Sequence, residues 1–284
     1  MNKVDLMNDP EMHEIVVMEV KELLEQYGFD PDKTEVIKGS ALQALNNENP
    51  ELGTSKIQEL LDTMDNTLYV PDRKKDLPFM MSVEGTYNIE GRGLVVVGTI
   101  DQGMVKPGQE VDVVGKNKFF KTTITGIETF KKTLDHGEAG DNVGLLLRGL
   151  TRDQVSRGMI ISKPGLVKNH LCFEAQVYFC TEEEGGRKKG FYTGYKPQVF
   201  LRTADIAAEL QLPDNCEIGM PGDNLKIKMR MSSPAFIENG QRFALRESGK
   251  TIGHGIITEI LSDDAVPEQV GRVTRAQKNQ NKEN

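Results

Sequence analysis

Hydrophobic residues recur with two different periods along the chain, and the period changes near position 70. Up to that point, two stretches carry an apolar residue every three or four positions, which predicts two amphipathic helices. The first helix is expected to start at Pro10 and to stop at Gly28, and the second to be capped by Thr54 or Ser55. Between them, Thr34 to Lys38 is a candidate for a short strand. This opening segment is therefore α/β in character.

Beyond position 70, short stretches of alternating apolar and polar residues are separated by turn residues, many of them glycine. Regular spacing of this kind predicts two consecutive β-modules, each an antiparallel β-barrel or sandwich. The predicted strands of the first module are Phe79 to Tyr87, Leu94 to Ile100, Glu110 to Val114, Lys121 to Glu128, Val143 to Leu147 and Met159 to Ile161. Those of the second are Cys172 to Cys180, Gln198 to Thr203, Asp223 to Met231, Gln241 to Arg246 and Thr251 to Leu261.

These patterns divide the chain into residues 1–70, 71–163, 164–261 and 262–284. The last segment is polar and shows no periodicity, which predicts a disordered tail. The first segment is expected to be incomplete, because a doubly wound sheet needs about five or six strands and only one or two are suggested here. Its apolar stripes are then expected to lack a covering surface, which predicts aggregation or local disorder before Tyr69.

The composition is that of a water-soluble chain with reduced thiols. Of the 284 residues, 37% are hydrophobic and 27% are charged, and no apolar run approaches the roughly 20 residues that cross a bilayer. The three cysteines are odd in number and widely spaced, which argues against a disulfide framework. No membrane partner is therefore expected.

The net charge of −8 is unevenly distributed between the segments. Residues 1–70 contain 15 acidic and 5 basic residues, which leaves 28 acidic and 30 basic residues for the rest of the chain. The local field, and not the overall charge, decides which partner binds. The β-modules therefore remain compatible with a nucleic-acid partner.

Two short motifs together suggest a guanine site. Asn2-Lys3-Val4-Asp5 and Gly39-Ser40-Ala41-Leu42 both stand at probable strand-to-loop transitions, one helix apart. The carboxylate of Asp5 can accept two parallel hydrogen bonds from guanine N1–H and N2–H₂, which adenine cannot offer. Each motif by itself is also compatible with an ordinary turn.

A phosphate-binding loop of the form Gly-x-x-x-x-Gly-Lys-Ser/Thr does not occur in the sequence. The nearest approach is Gly249-Lys250-Thr251, but Ala244 stands where the first glycine belongs. The residues that follow alternate and are rich in β-branched side chains, so they predict a hairpin and not the helix that a phosphate loop requires.

Neither a metal site nor a catalytic arrangement is predicted. The four histidines are scattered one per element, and Cys172 and Cys180 lie within one predicted strand. In contrast, basic and aromatic residues cluster in the second β-module, from Arg187 to Tyr195 and again near Arg246. Such a cluster favours RNA phosphates as partners, although a solvated loop that balances three preceding glutamates explains the composition equally well.

The order of the motifs closely resembles the elongation factor Tu family over residues 1 to 261. Besides the two guanine motifs, the segments that carry the resemblance are Gly91 to Gly93, Ala139 to Gly144, Leu147 to Gly149, Glu184 to Arg187, Gly194 to Gln198, Met220 to Asn224 and Gly240 to Phe243. The resemblance implies the C-terminal part of a P-loop GTPase domain over residues 1–70, followed by two antiparallel β-barrels. It further implies a factor that delivers aminoacyl-tRNA to the ribosomal A site, with an elongation factor Ts type of nucleotide exchange factor as another partner. The stretch Asn49 to Gly53 looks more like the mitochondrial members, so the mitochondrial matrix is expected over the bacterial cytoplasm.

The resemblance also assigns candidate site residues in this sequence. GTP or GDP would be held through its base by Asn2, Lys3, Asp5, Ser40, Ala41 and Leu42. Aminoacyl-tRNA would contact Glu84, Tyr87, Glu128 and Asn142 in the first barrel, and Arg187, Gln198, Arg202, Thr203 and Gly249 in the second. Chemically, Asn142 can bond the ester or amino group, Glu128 the terminal adenosine, and Tyr87 offers an apolar wall.

The departures from the family are as informative as the matches. The phosphate loop, the switch regions, the Mg²⁺ ligands and the catalytic histidine have no counterpart here, so the chain alone is not expected to hydrolyse GTP. Gly85 and Val97 replace an acidic residue and a threonine that are common in the family. Three readings follow: an incomplete version of a Tu-type factor, an RNA- or ribosome-binding module without a phosphate loop, or a scaffold that binds the exchange factor.

Overall fold

A computed structural model describes residues 1–7, 9–69, 71–89, 93–130 and 132–266. The chain forms two compact units, Met1–Asp72 and Arg73–Asn284. Two sequence predictions fall partly outside the described residues. They concern Gly91 and Arg92 of the glycine-rich motif and residues 267–284 of the polar tail.

The first unit contains a 3₁₀ turn at Val4–Leu6 and three helices: α1 Pro10–Gln26, α2 Ala41–Asn46 and α3 Thr54–Thr67. The Asp9 carboxylate caps α1 by accepting from the backbone N–H of Glu11 at 3.0 Å. The capping prediction for the last helix was wrong: the N-cap of α3 is Gly53, and no side chain caps it. Helix α2 was not predicted, because Ser40-Ala41-Leu42 was interpreted only as a turn.

The strand predicted at Thr34 to Lys38 does not form among the described residues of this unit. Residues 35–39 form neither helix nor strand, and the backbone hydrogen bonds of this segment are with Met1 and Val4. The Met1 amino group donates to the Ile37 carbonyl at 2.7 Å, and the Gly39 N–H donates to the Met1 carbonyl at 3.0 Å. A strand requires a run of such pairs with a neighbour, and this short contact supplies too few.

The apolar stripes of α1 and α3 are largely exposed, as the sequence predicts. No residue of either helix is buried. Met18 is 57% exposed and Leu61 is 49% exposed. The spacing of apolar residues therefore predicted both helices, but the apolar faces of these helices pack against few residues of this unit.

The second unit consists of two closed antiparallel β-barrels, which confirms the predicted fold class of this region. The first barrel runs in the ring order β4-β9-β1-β2-β8-β5, and β5 pairs with β4 to close it. A core of seventeen buried side chains fills it, among them Met81, Ile127 and Leu145. Its strands are β1 Met80–Ile89, β2 Gly93–Gln102, β3 Met104–Val105, β4 Glu110–Gly115, β5 Lys118–Thr129, β6 Lys132–Leu134, β7 Gly137–Glu138, β8 Asn142–Leu147 and β9 Ile160–Ser162.

The second barrel closes in the order β10-β13-β12-β11-β14-β15. The alternation along β13 places Ile227 and Met229 in the core and the intervening lysines outside. One strand of this barrel, β12, was not predicted. Its strands are β10 Asn169–Phe179, β11 Gln198–Leu201, β12 Ala204–Gln211, β13 Asn224–Phe236, β14 Arg242–Glu247 and β15 Lys250–Ile260.

The two barrels pack against each other through an apolar cluster and an ion pair. Met80, Val114 and Ile160 of the first barrel meet Val167 and Phe236. Beside this cluster, Arg202 of the second barrel donates to Asp101 Oδ1 of the first at 3.2 Å and also pairs with Glu238. The barrels are thus joined by both buried surface and charge.

Residues 262–266, at the start of the polar tail, contact the second barrel. The Asp263 carboxylate accepts from the Leu171 N–H at 2.8 Å. Arg230 donates to the carbonyl of Val266 at 3.0 Å, and Val266 itself is buried. The Arg230 guanidinium supplies hydrogen bonds to backbone carbonyls that have no strand partner. Residues 262–266 therefore stay in contact with the second barrel.

Candidate functional site

A β-bulge in the first barrel places Glu84 on the surface. The register between β1 and β2 shifts between Val83 and Gly85, so Glu84 is the additional residue and its side chain is exposed. The strands approach closely beside it, because a Cβ on Gly98 would lie only 2.1 Å from the Ser82 carbonyl oxygen. Glycine at this position therefore permits the local geometry that displays Glu84.

Three polar side chains meet on this surface, and we refer to Glu84, Thr99 and Asn142 as the polar triad. The Thr99 hydroxyl donates to Glu84 Oε1 at 2.9 Å. Asn142 Nδ2 donates to Thr99 Oγ1 at 3.2 Å and to Glu84 Oε2 at 3.4 Å. Thr99 on β2 is paired directly with Asn142 on β8, so the strand register sets the contact.

The other two candidates of the first barrel lie on neighbouring strands. Glu128 on β5 is paired with Gly144, two residues along β8 from Asn142. Tyr87 lies three residues along β1 from Glu84 and is 61% exposed. A Cβ on Gly85 would lie 3.7 Å from the Tyr87 ring, so the absence of a side chain there leaves the ring uncovered on that side. The structure thus brings the four sequence-predicted residues to one region of the barrel.

In the second barrel, Arg187 lies over an aromatic ring and beside a carboxylate. Its guanidinium carbon is 4.5 Å from the centre of the Tyr195 ring, a cation–π geometry. Its Nη1 is 3.6 Å from Glu247 Oε2. Burial, followed by the nearby Glu247 carboxylate, raises the pKa of Tyr195 to about 12, although Arg187 acts in the opposite direction.

Gln198 and Gly249 lie near the same end of this barrel. Gln198 on β11 is paired with Arg246 on β14. Arg246 donates to the Gly249 carbonyl at 3.0 Å and stacks on Phe200, with 5.2 Å between the guanidinium carbon and the ring centre. Arg187 joins this group through Glu247, which is paired with Lys250. Two arginines and two aromatic rings therefore lie near the β14–β15 turn: Arg187, Arg246, Tyr195 and Phe200.

A groove of about 700 Å³ runs beside this cluster and is lined by cations and aromatic side chains. Lys189, Tyr192 and Lys196 are exposed along it. Lys196 is paired with the buried Glu209 at 3.0 Å, whereas Lys189 makes no ion pair with any described residue. We call the Arg187 to Lys196 surface, together with Arg246, the cationic groove. Its combination of charge and ring faces suits a polyanion with planar bases.

The last two candidates of the second barrel lie elsewhere. Arg202 and Thr203 form the turn between β11 and β12, and this turn faces the first barrel. Arg202 is held by Asp101 and Glu238, and the Thr203 carbonyl accepts from Arg157 Nε at 3.1 Å. The side chain of Arg202 is only 22% exposed. Through these contacts, the β11–β12 turn forms part of the interface between the barrels.

In the first unit, Asn2 ties the two guanine motifs together. Its Oδ1 accepts from the backbone N–H groups of Lys3 at 2.8 Å and of Ala41 at 3.0 Å. The N–H of Ala41, one of the residues that the resemblance assigns to the guanine site, is therefore used by Asn2. Ser40 is buried and caps α2 through the Gln43 N–H. Leu42 is exposed.

One observation in this unit fits a guanine ligand. Oδ1 of Asp5 is buried and accepts no hydrogen bond from the described residues. A buried carboxylate oxygen without a donor is costly, and the N1–H and N2–H₂ groups of guanine supply such donors. The residues of the two motifs are therefore compatible with the base of GTP or GDP.

Sequence reasoning missed Thr99, Phe200 and the stacking role of Arg246. The alternation along β2 places Thr99 between the buried Gly98 and Ile100 and so on the outer face, but no motif distinguishes it. Across the part of the chain that the structure describes, no group of three or more His, Cys, Asp or Glu residues could hold a metal ion. No helix within the same part is long and apolar enough to cross a membrane.

The second unit thus combines two closed antiparallel barrels, one with the polar triad and the other with the cationic groove. The family comparison identifies both barrels. Residues 93–162 match elongation factor Tu domain 2, and residues 166–261 match the elongation factor Tu C-terminal domain. Together these ranges cover more than half of the chain, which belongs to the elongation factor Tu-like family of translational GTPases.

Proposed function

We propose that the protein acts as a Tu-type translation elongation factor that delivers aminoacyl-tRNA to the ribosomal A site in a GTP-dependent manner. The observation that carries the proposal is the presence of the polar triad and the cationic groove on two barrels of one compact unit. One surface offers neutral and anionic hydrogen-bonding groups for an aminoacyl end. The other offers cations for RNA phosphates.

In this proposal the first barrel binds the charged 3′ end of the tRNA. Glu84 and Asn142 contact the ester or amino group, since both present oxygen acceptors beside a hydrogen-bonded hydroxyl. Glu128 contacts the terminal adenosine or its ribose, and the exposed ring of Tyr87 forms an apolar wall. The side-chain hydroxyl and acid that the family often carries at positions 97 and 85 are absent, so Thr99 supplies the local hydroxyl.

The second barrel binds the double-helical stem of the same tRNA. Arg187, Arg246 and Lys189 neutralise phosphates, which gives a salt-dependent affinity with little dependence on sequence. Gln198 and Gly249 lie next to Arg246 and contact the backbone of the stem. Arg202 and Thr203 contribute indirectly, because they fix the orientation of the two barrels.

The nucleotide and the remaining partners complete the proposal. Asp5 accepts from guanine, and Asn2, Lys3, Ser40, Ala41 and Leu42 hold the two loops around the base. Mg²⁺ accompanies the nucleotide in the family's full GTPase domain. An exchange factor of the Ts type and the ribosome are the protein partners, and the Asn49 to Gly53 stretch supports the mitochondrial matrix as the compartment.

Equilibrium binding of phenylalanyl-tRNA and of the same tRNA without its amino acid tests this proposal. The wild-type chain is expected to prefer the charged form. Asn142→Ala is expected to weaken binding of the charged form alone. Arg187→Ala is expected to weaken both forms and to reduce the dependence of log Kd on log salt by about one, the contribution of one phosphate contact.

Arg152→Ala serves as the control, because it removes one positive charge from an exposed loop of the first barrel. It is expected to leave both affinities unchanged. Equal weakening by Arg152→Ala and Arg187→Ala would show that net charge, and not the groove, controls binding. No binding of either tRNA by the wild type would refute tRNA delivery.

A second candidate function is tRNA or ribosome binding without GTPase activity. It is favoured by one specific observation, the cluster of cations and aromatic rings around Arg187, which suits RNA without requiring a nucleotide. Titration with fluorescent GDP and ADP distinguishes the two. Guanine-selective binding that Asp5→Asn abolishes favours the Tu-type factor. Tight tRNA binding without guanine-selective nucleotide binding favours the second function.

A further inference from the structure

Thr99 lies at the centre of the polar triad and bonds both of its other members. Its hydroxyl donates to Glu84 Oε1 at 2.9 Å and accepts from Asn142 Nδ2 at 3.2 Å. A threonine hydroxyl has one donor hydrogen and two acceptor lone pairs. Because the hydrogen is used by Glu84, only acceptor positions face Asn142.

This arrangement fixes which atom of the Asn142 amide points outward. Both oxygens that surround the amide, Thr99 Oγ1 and Glu84 Oε2, are acceptors for it, so both attract the NH₂ group. The carbonyl oxygen Oδ1 is left without a hydrogen bond from the described residues. A reversed amide would place Oδ1 against a carboxylate and a lone pair, which is unfavourable.

We propose that Thr99 is a positioning residue that orients the Asn142 amide and the Glu84 carboxylate, so that the triad presents oxygen acceptors to a donor group of the bound ligand. This inference rests on the proposed function for the identity of the ligand. Its physical content, the orientation of the amide, belongs to the free protein and is measurable without any RNA.

The contacts of Thr99 allow its role in orienting Asn142 to be distinguished from a role in stabilising the barrel. Backbone hydrogen bonds already pair β2 with β8 from Leu94 to Thr99, and the apolar side chains of the core lie on the opposite face of these strands. Thr99→Val keeps the branched shape that favours strands and removes only the hydroxyl. Thr99→Ser keeps the hydroxyl. The valine variant is therefore expected to fold, and the serine variant to restore the wild-type behaviour.

The first test is the NMR signal of the Asn142 side-chain NH₂ group in the ¹⁵N-labelled full chain, assigned with Asn142→Asp. Wild type and Thr99→Ser are expected to show a shifted pair of resonances with slowed hydrogen exchange. Thr99→Val is expected to move both resonances toward those of exposed asparagines and to speed exchange, while the backbone spectrum of the barrel stays the same. An unchanged NH₂ signal in Thr99→Val would overturn the inference.

The second test measures affinity for phenylalanyl-tRNA and for the uncharged tRNA. Thr99→Val is expected to weaken binding of the charged form by about threefold to tenfold, the effect of losing a modest hydrogen bond, and to leave the uncharged form unchanged. Thr99→Ser is expected to bind like the wild type. Equal weakening for both forms would overturn the positioning role. If the wild type binds neither form, the proposed function fails, and the NH₂ signal alone decides the role of Thr99.

Discussion

At the scale of single residues, the environment of Tyr195 is set by burial and by two opposite charges. The ring lies under the Arg187 guanidinium, and its hydroxyl lies beside the Glu247 carboxylate. Burial and Glu247 both disfavour the phenolate, and Arg187 offsets them only in part. The neutral phenol is therefore held in place at the cationic groove.

This environment predicts how stability responds to alkaline pH. Since the pKa of Tyr195 is raised to about 12 in the folded chain and is about 10 when unfolded, its contribution is fully present below pH 10. The contribution is lost as the pH rises from about 10 to about 12. Phenolate absorbance of wild type minus Tyr195→Phe is expected to titrate near pH 12. A difference curve centred near pH 10 would contradict the proposed environment.

Candidate residues that follow from motifs or from the family resemblance were named from the sequence, whereas contacts that depend on strand register were not. Asp5 and Asn142 stand in recognisable segments, and Glu84 was named through the family resemblance. Thr99 becomes significant only because β2 and β8 pair it with Asn142. Arg202 was assigned to RNA contacts by the family resemblance, and in the fold it lies between Asp101 and Glu238.

At the scale of elements, the display of Glu84 depends on how closely β1 and β2 approach. Gly98 is paired with Val83, immediately before the bulge. Any Cβ at position 98 would meet the Ser82 carbonyl oxygen at 2.1 Å, which real structures do not tolerate. The β1 bulge and Gly98 therefore act together to set the position of Glu84 on the surface.

Gly98→Ala is expected to destabilise the first barrel by about 1–3 kcal/mol, because the backbone of β1 must shift to relieve the overlap. It is also expected to disturb the hydrogen bonds of the polar triad. Gly126→Ala on β5 is the matched control, since its Cβ would lie 3.7 Å from the Leu146 side chain, an ordinary contact. Urea denaturation of both variants measures the difference. Equal stability of the two variants would show that the strands are less closely packed than described.

Strand prediction succeeded where the two faces of a strand differ in polarity. The alternation of β13 and the core positions of β2 follow the period of two closely. Strand β12 was missed because Ala204 to Gln211 is rich in alanine and acidic residues, which have low strand preference. Its strand state comes from pairing with β11 and β13, which local preference does not contain.

At the scale of the whole second unit, Arg202 joins the barrels through charge. Its partners Asp101 and Glu238 are 26% and 47% exposed at the side chain, so solvent screens part of the attraction. Ser82 donates to the second oxygen of Asp101 at 2.7 Å and so orients the carboxylate. The guanidinium also lies 5.5 Å from the centre of the Phe236 ring, within the apolar cluster between the barrels.

Arg202→Ala is expected to lower the free energy of unfolding of the barrels by about 1 kcal/mol, the value of a partly screened pair with hydrogen bonds. This corresponds to a decrease of about 2–4 °C in Tm for a unit of this size. Arg152→Ala, which removes an exposed arginine, is expected to leave Tm unchanged. If the two variants melt alike, Arg202 does not couple the barrels.

The central claim is that both barrels bind one aminoacylated RNA at the same time. Hydrogen exchange of the full chain with and without phenylalanyl-tRNA tests it most directly, because each strand reports separately. The account predicts slower exchange in β2 and β8 around Thr99 and Asn142, together with slower exchange in the β14–β15 turn. Uncharged tRNA is expected to protect the turn but not β2 and β8 around Thr99 and Asn142. Protection confined to one barrel with the charged tRNA, or absent from both, would contradict the claim.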